Sequence, residues 1–163
     1  MRALDESLAR DFLEAVSQGD VKRAEQLLGL GVHPGATVSG QPFAALHLAA
    51  MAGNLEMLEL LLAASESPDQ PTCGGATALA YVVHELAATD DSENYERLSA
   101  ACSRLLRSGA SPTAGDPEQT PLYLAQQYGL AEAVTCLSAY MEKGAPPGFD
   151  RRATVAVEQT GED

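Results

Sequence analysis

Apolar residues in this chain recur at helical spacing, in blocks that repeat along the sequence. The block ALHLAAMAGNLEMLELLLAASESP, residues 45–68, serves as a ruler. In it Gly53 follows Leu46 by seven residues and Ser65 follows Leu46 by nineteen. FLEAVSQGDVKRAEQLLGLGVHP repeats both spacings with Phe12, Gly19 and Gly31. TPLYLAQQYGLAEAVTCLSAYME repeats them with Leu122, Gly129 and Met141. A further copy opens on Leu79 in TALAYVV and closes on Gly109 in LLRSGASP, stretched by eleven residues between its halves. Self-similarity of this kind predicts a stacked array of small helical units.

Each unit predicts two helices. The first half is a short Ala-rich helix ended by glycine, which alone takes a positive φ cheaply at a helix C-terminus. The second half carries an apolar stripe: Val21, Ala24, Leu27 and Leu28, then Leu55, Leu58, Leu61 and Leu62. The last unit gives Ala131, Val134 and Leu137, and the stretched unit gives Ser99, Cys102, Leu105 and Leu106. Spacings of i, i+3, i+6 and i+7 describe a helix with one buried face.

Phe12, Leu46 and Leu79 stand 34 and 33 residues apart, and in this the chain resembles ankyrin-repeat proteins. The family pattern T-P-L-H-x-A reads AALHLA at 44–49 and TPLYLA at 120–125. The ending L-L-x-x-G-A-x-P reads LLRSGASP and, more loosely, LLGLGVHP. Ala44 and Ala45 replace the Thr-Pro pair, Ala80 the His, and Ser65 the loop Gly. The resemblance implies an all-α solenoid of helix-turn-helix units joined by short β-hairpin fingers. One repeat domain is expected over residues 1–143, with units at about 4–35, 43–68, 76–112 and 119–143. The fingers fall at residues 34–43, 68–76 and 112–119, all rich in Pro, Gly, Thr and Ser. Terminal units act as caps, so Glu14 stands where inner units have Leu48 or Leu124. Pro146, Pro147 and Gly148 then break the pattern, leaving residues 144–163 as an expected flexible tail.

Composition agrees with packed helices: 28 of 163 residues are Ala, and aromatics make up 5%. Charge adds more. Acids outnumber bases 23 to 10, for a formal charge of −13. That sign repels phosphate backbones and anionic lipid heads, which excludes nucleic acid and membrane surfaces as partners and favours a basic protein. No Lys or Arg occurs between Arg23 and Arg97, where ten acids stand: Glu25, Glu56, Glu59, Glu66, Asp69, Glu85, Asp90, Asp91, Glu93 and Glu96. Such a stretch reads either as solvated surface or as a face that steers a basic partner. Three scattered cysteines, Cys73, Cys102 and Cys136, suit a reducing compartment. The N-terminus is periodic and acid-bearing, unlike a signal peptide, and no apolar run reaches the roughly 20 residues of a membrane span. A cytoplasmic protein, monomeric alone, is expected.

The insertion HELAATDDSENYER, residues 84–97, admits two readings: an elongated helix pair packing its own extra turn, or a grafted acidic contact element. Asp90 and Glu93 have capping-box spacing, with Asp91 and Ser92 as further caps. The first helix is expected to run to about Ala88 and the second to start near Ser92. The resemblance implies a concave binding surface made of the fingers and the solvent-facing ends of the first helices: Ser17, Gln18, Met51, Ala52, His84, Glu85, Gln127 and Tyr128. The candidate partner-binding set is therefore Met51, Asp69, Glu85, Asp90, Asp91, Glu93, Glu96, Gln127 and Tyr128.

Catalytic, cofactor and metal residues are not assigned. His47, at the motif's His position, is expected to bond neighbouring backbone. His33 and His84 have no Cys or His at metal-ligand spacing. Cys102 falls on the apolar stripe, and Cys73 on a finger with no neighbouring cation. Arg151-Arg152-Ala153-Thr154 resembles a basophilic kinase site, a match short enough to arise by chance. The reading is a non-enzymatic protein binder, a stoichiometric inhibitor such as an immunity protein neutralising a basic toxin or effector enzyme. The alternative is an adaptor or regulatory scaffold that binds a signalling or transcription protein through fingers and groove.

Overall fold

The computed structural model describes residues 2–64 and 67–143. Ser65, Glu66, the expected tail and the Arg151–Thr154 motif lie outside the described residues. Eight helices follow in order: α1 (Arg2–Gln18), α2 (Val21–Gly29), α3 (Ala45–Met51), α4 (Leu55–Ala64), α5 (Ala78–Ala88), α6 (Ser92–Arg107), α7 (Pro121–Gln127) and α8 (Ala131–Lys143). Odd-numbered helices form one row, with α1 on α3, α3 on α5 and α5 on α7. Even-numbered helices pack behind them, α2 on α4 and α4 on α6. This is the all-α solenoid that the repeats predict.

Local chemistry sets where the helices begin and end. Gly19, Gly53 and Gly129 turn the chain with φ of 73°, 62° and 67°, a region that costs any other L-residue energy. The Asp20 carboxylate accepts the Arg23 amide at 3.0 Å, and the Asn54 side-chain oxygen accepts the Met57 amide at 3.0 Å. Thr77 and Thr120 hold the starts of α5 and α7 in the same way, each accepting an amide three residues on at 3.3 Å. Ala44 occupies the equivalent position before α3 and supplies no side-chain bond.

The third unit lacks the breaking glycine. Leu86 stands seven residues after Leu79, and Arg97 stands twelve before Gly109, where the other units carry that glycine. Both helices therefore run on. α5 has 11 residues where α3 and α7 have 7, and α6 has 16 where α4 has 10. α5 ends at Ala88 and α6 opens at Ser92, with Asp91 as the cap that accepts the Asn94 amide at 3.1 Å.

The core follows the stripe from its second position onward. Ala24, Leu27, Leu58, Leu61, Cys102, Leu105, Leu106 and Leu137 are all buried. The stripe's first position holds in two units, with Ser99 buried and Val21 half-buried, and fails in the other two: Leu55 is 37% exposed and Ala131 is at the surface. Both open their helices, beyond the reach of the neighbouring pair. Met57 and Ala133, four residues after the turn glycine, are buried instead and were not on the expected stripe.

The fingers are turn loops without strand ladders, and no strand occurs among the described residues. Pro34, Pro42, Pro68, Pro71, Pro112 and Pro117 remove donors from arms only a few residues long. The Thr72 amide donates to the Ala76 carbonyl at 2.9 Å and closes the second finger, within which the Gly75 amide donates to the Thr72 carbonyl at 2.9 Å. The next finger lies directly against it: the Asp116 amide donates to the Gly75 carbonyl at 2.9 Å. Gly75 has φ of 81°, and a Cβ there would sit 2.1 Å from the Asp116 carboxylate. Gly75→Ala is expected to cost about 1–2 kcal/mol. Urea unfolding measures this, and a loss below about 0.5 kcal/mol would show that the two fingers do not depend on this contact.

Candidate partner-binding surfaces

Helix direction divides the molecule into two ends. Every unit turns from its first to its second helix at one end, and all fingers lie at the other. Eight of the nine sequence-predicted site residues belong to the turn end. Met51 and Gln127 are the last residues of α3 and α7, and Tyr128 follows α7 directly. Glu85 lies in the last turn of α5, while Asp90, Asp91, Glu93 and Glu96 surround the start of α6. Asp69 is set apart, in the second finger.

The α5–α6 extension is an elongated helix pair that packs against the fourth unit. His84 Nδ1 and the Tyr128 hydroxyl share a hydrogen bond at 2.8 Å, with ring centroids 5.6 Å apart. The Tyr95 hydroxyl of α6 donates to Glu132 of α8 at 2.8 Å. Tyr128 stays 42% exposed, so its ring offers a face to solvent while its hydroxyl is engaged. Asp90, Asp91, Glu93 and Glu96 are all exposed beyond these contacts. Asp91 has one oxygen committed to capping α6. The nearest base along the chain, Arg97, donates to Asn94 at 3.1 Å.

Three other acids of the base-free stretch lie on other elements. Glu56 and Glu59 lie on α4, and Glu59 is ion-paired with Arg104 of α6. Asp69 accepts the Ser111 amide at 2.9 Å and so fastens the second finger to the third. Partial burial raises its pKa above the usual carboxylate value, and the Ser111 bond opposes that rise.

A second surface runs along the row of first helices. A cleft of about 360 Å³ lies between α1, the first finger and α3. Arg10, Glu14, Ser17, Ser39 and Gln41 give it a polar rim, and Leu13, Val38 and Leu48 an apolar floor. The expected binding surface included Ser17 and, through the first finger, Val38, Ser39 and Gln41, but not Arg10, Leu13, Glu14 or Leu48. The signal was present in the repeat register, which equates Glu14, Leu48, Tyr81 and Leu124 two residues after Phe12, Leu46, Leu79 and Leu122. Tyr81 of that row packs edge-on against Phe43, with ring centroids 5.2 Å apart.

Histidine and cysteine chemistry is sparse. His47 corrects an expectation, since neither ring nitrogen meets a hydrogen-bond partner among the described residues. Burial pushes the Cys102 thiol far up, with Cys136 adding to it, and burial raises Cys136 as well. Cys73 is exposed. Among the described residues no group of three His, Cys, Asp or Glu is arranged to hold a metal ion. No helix there is long and apolar enough to cross a membrane.

Comparison with known proteins bears on the first half of the chain. Residues 12–90 match the family model for ankyrin repeats (3 copies). The match ends at Asp90, where the extension turns into α6. No curated protein matches the chain.

If the extension is held by the fourth unit, Tyr95→Phe removes a charge-assisted bond and is expected to cost about 1–2 kcal/mol. Amide exchange locates the effect. Loss of protection in α8 and the α6 start is expected, with α1 and α2 unchanged. Uniform loss across all units would show that the bond does not couple these two elements.

Proposed function

The chain is an ankyrin-repeat protein, a protein–protein interaction module, and from that premise we propose that it acts as a stoichiometric inhibitor of a basic protein. The carrying observation is the α5–α6 extension, where Asp90, Asp91, Glu93 and Glu96 are exposed together on a packed helix pair. Rigid presentation matters because a preorganised surface loses little entropy on binding. Concentrated charge of one sign steers an oppositely charged partner and raises its association rate by roughly 10 to 1,000-fold at low salt. Glu85 and Tyr128 adjoin the acids and supply a half-buried carboxylate and an exposed aromatic ring. Aromatic anchors of this kind dominate binding energy at interfaces.

In this reading the protein is a monomer without catalytic activity that works in the cytoplasm. An immunity protein neutralising a basic toxin or effector enzyme fits it best, since inhibition needs only a tight, well-placed surface. A second reading rests on the cleft between α1 and the first finger, whose apolar floor and polar rim suit a peptide segment. There the protein is an adaptor for a signalling or transcription protein, with Met51 and Gln127 extending the contact.

Affinity capture from the native lysate, eluted at low and then high salt, separates the two. A single basic protein released by salt is the expected result; neutral partners that resist salt would favour the cleft. Charge reversal then tests the site. Asp91 is left intact because it caps α6, and Asp90, Glu93 and Glu96 are changed to Lys. This variant is expected to slow association with the captured protein at least about tenfold at low ionic strength and to flatten its salt dependence. Unchanged kinetics would remove the extension from the interface.

A further inference from the structure

His47 is a buried titratable side chain that the binding surfaces do not use. Its ring is 1% exposed, and neither nitrogen has a hydrogen-bond partner among the described residues. A buried polar atom without a partner is costly, which favours any rearrangement that supplies one. The surroundings are aromatic and main-chain. Phe43 lies 6.5 Å away between ring centroids, and Tyr81 lies 5.9 Å away, edge-on. Backbone groups of Gln70, Ala44 and Ala76 lie around the ring and favour its protonated form, less strongly than burial opposes it.

Two of those three neighbours belong to the second finger. The Ala76 carbonyl already accepts the Thr72 amide, the bond that closes this finger, and the Thr72 hydroxyl lies 3.5 Å from the Tyr81 hydroxyl. We infer that His47 is a proton-operated latch on the second finger. Neutral, the ring packs beneath residues 67–77 between Phe43 and Tyr81. Protonated, it carries two N–H donors and a charge that this apolar site does not hydrate. It then seeks the Gln70 and Ala76 carbonyls or water, and either choice loosens the finger's closing bond.

On the second finger itself Asp69, its pKa raised by partial burial, accepts the Ser111 amide, so its protonation is a separate way to loosen the finger. From α5 the facing titratable group is the Tyr81 phenol. On α1, Arg10 and Glu14 line the cleft at Leu48. On α4, Glu56 and Glu59 are exposed, and on α6 Arg97 lies against Gly53. None of these perturbs His47, whose burial holds it below its ordinary value of 6.5. The sign follows. An opened finger takes the proton at about 6.5, while the closed one resists it until lower pH. The closed state therefore holds its full advantage above 6.5 and loses it as pH falls, by up to about tenfold per pH unit.

NMR of the whole chain from pH 7.5 to 4.5 tests this, following the His47 imidazole alongside His33 and His84. Amide protection factors are read at Thr72, Gly75 and in α8. His47 is expected to stay neutral below pH 6.5 while protection at Thr72 and Gly75 drops and that of α8 holds. In an Asp69→Asn background, which removes the finger's other titrating group, His47→Gln should make the finger's protection independent of pH. Titration of His47 at 6.5 or above would overturn the latch, as would a simultaneous loss in all units. An identical pH response with and without His47→Gln in that background would do so too; if the double variant fails to fold, the titration and the finger amides of Asp69→Asn decide alone.

Discussion

Burial of one helix pair against the next is the constraint on which the rest of this structure depends. Leu27, Leu61, Leu105 and Leu137 occupy the same register position in four successive units, and all are buried. Burying a leucine contributes about 1.5–3 kcal/mol, yet no single pair has enough neighbours to bury its own. Order along the chain thus becomes order in space. The caps at Asp20, Thr77, Asp91 and Thr120 and the glycines at the turns fix where each pair begins and ends.

Much of this was legible in the residues. Spacings of seven and nineteen located the pairs, and the acids at 90–91 located the break between α5 and α6. Those signals are local, set by caps and glycine. What the sequence concealed depends on how one unit sits against the next. Leu55 reads as a core residue but opens a helix at the rim, whereas Met57, off the stripe, is enclosed. The fingers read as hairpins, yet prolines leave too few donors for a ladder. His47 reads as a bonded motif histidine. With Ala44 replacing the threonine of the T-P-L-H pattern, its ring lies among aromatic and main-chain groups without a partner.

The candidate site was legible in part for the same reason. Eight predicted residues share the turn end because a helical hairpin puts its insertion there whatever the partner. Asp69 could not be told from them by charge; only the fold reveals that its carboxylate is occupied with Ser111. Glu59 likewise meets Arg104 across 45 residues of sequence. Asp90, Glu93 and Glu96, whose carboxylates meet no such internal partner among the described residues, stand together around the start of α6. The cleft beside α1 is built by three separate segments, which only the repeat register aligning Glu14 with Leu48 brings into relation.

The elongated third unit also bears on how the chain is made. α5 touches α3, α6 and α7, and α6 touches both α3 and α4, so this pair is joined to neighbours on both sides. A linear stack begins to order where a pair gains most from its own contacts, and then grows by adding neighbours. Residues 78–107 are the natural nucleus, from which the chain zips outward in both directions. Fraying runs the opposite way, starting with the outer pairs α1–α2 and α7–α8, each of which has a neighbouring unit on one side alone among the described residues. The acidic end is thus carried by the segment that orders first and melts last.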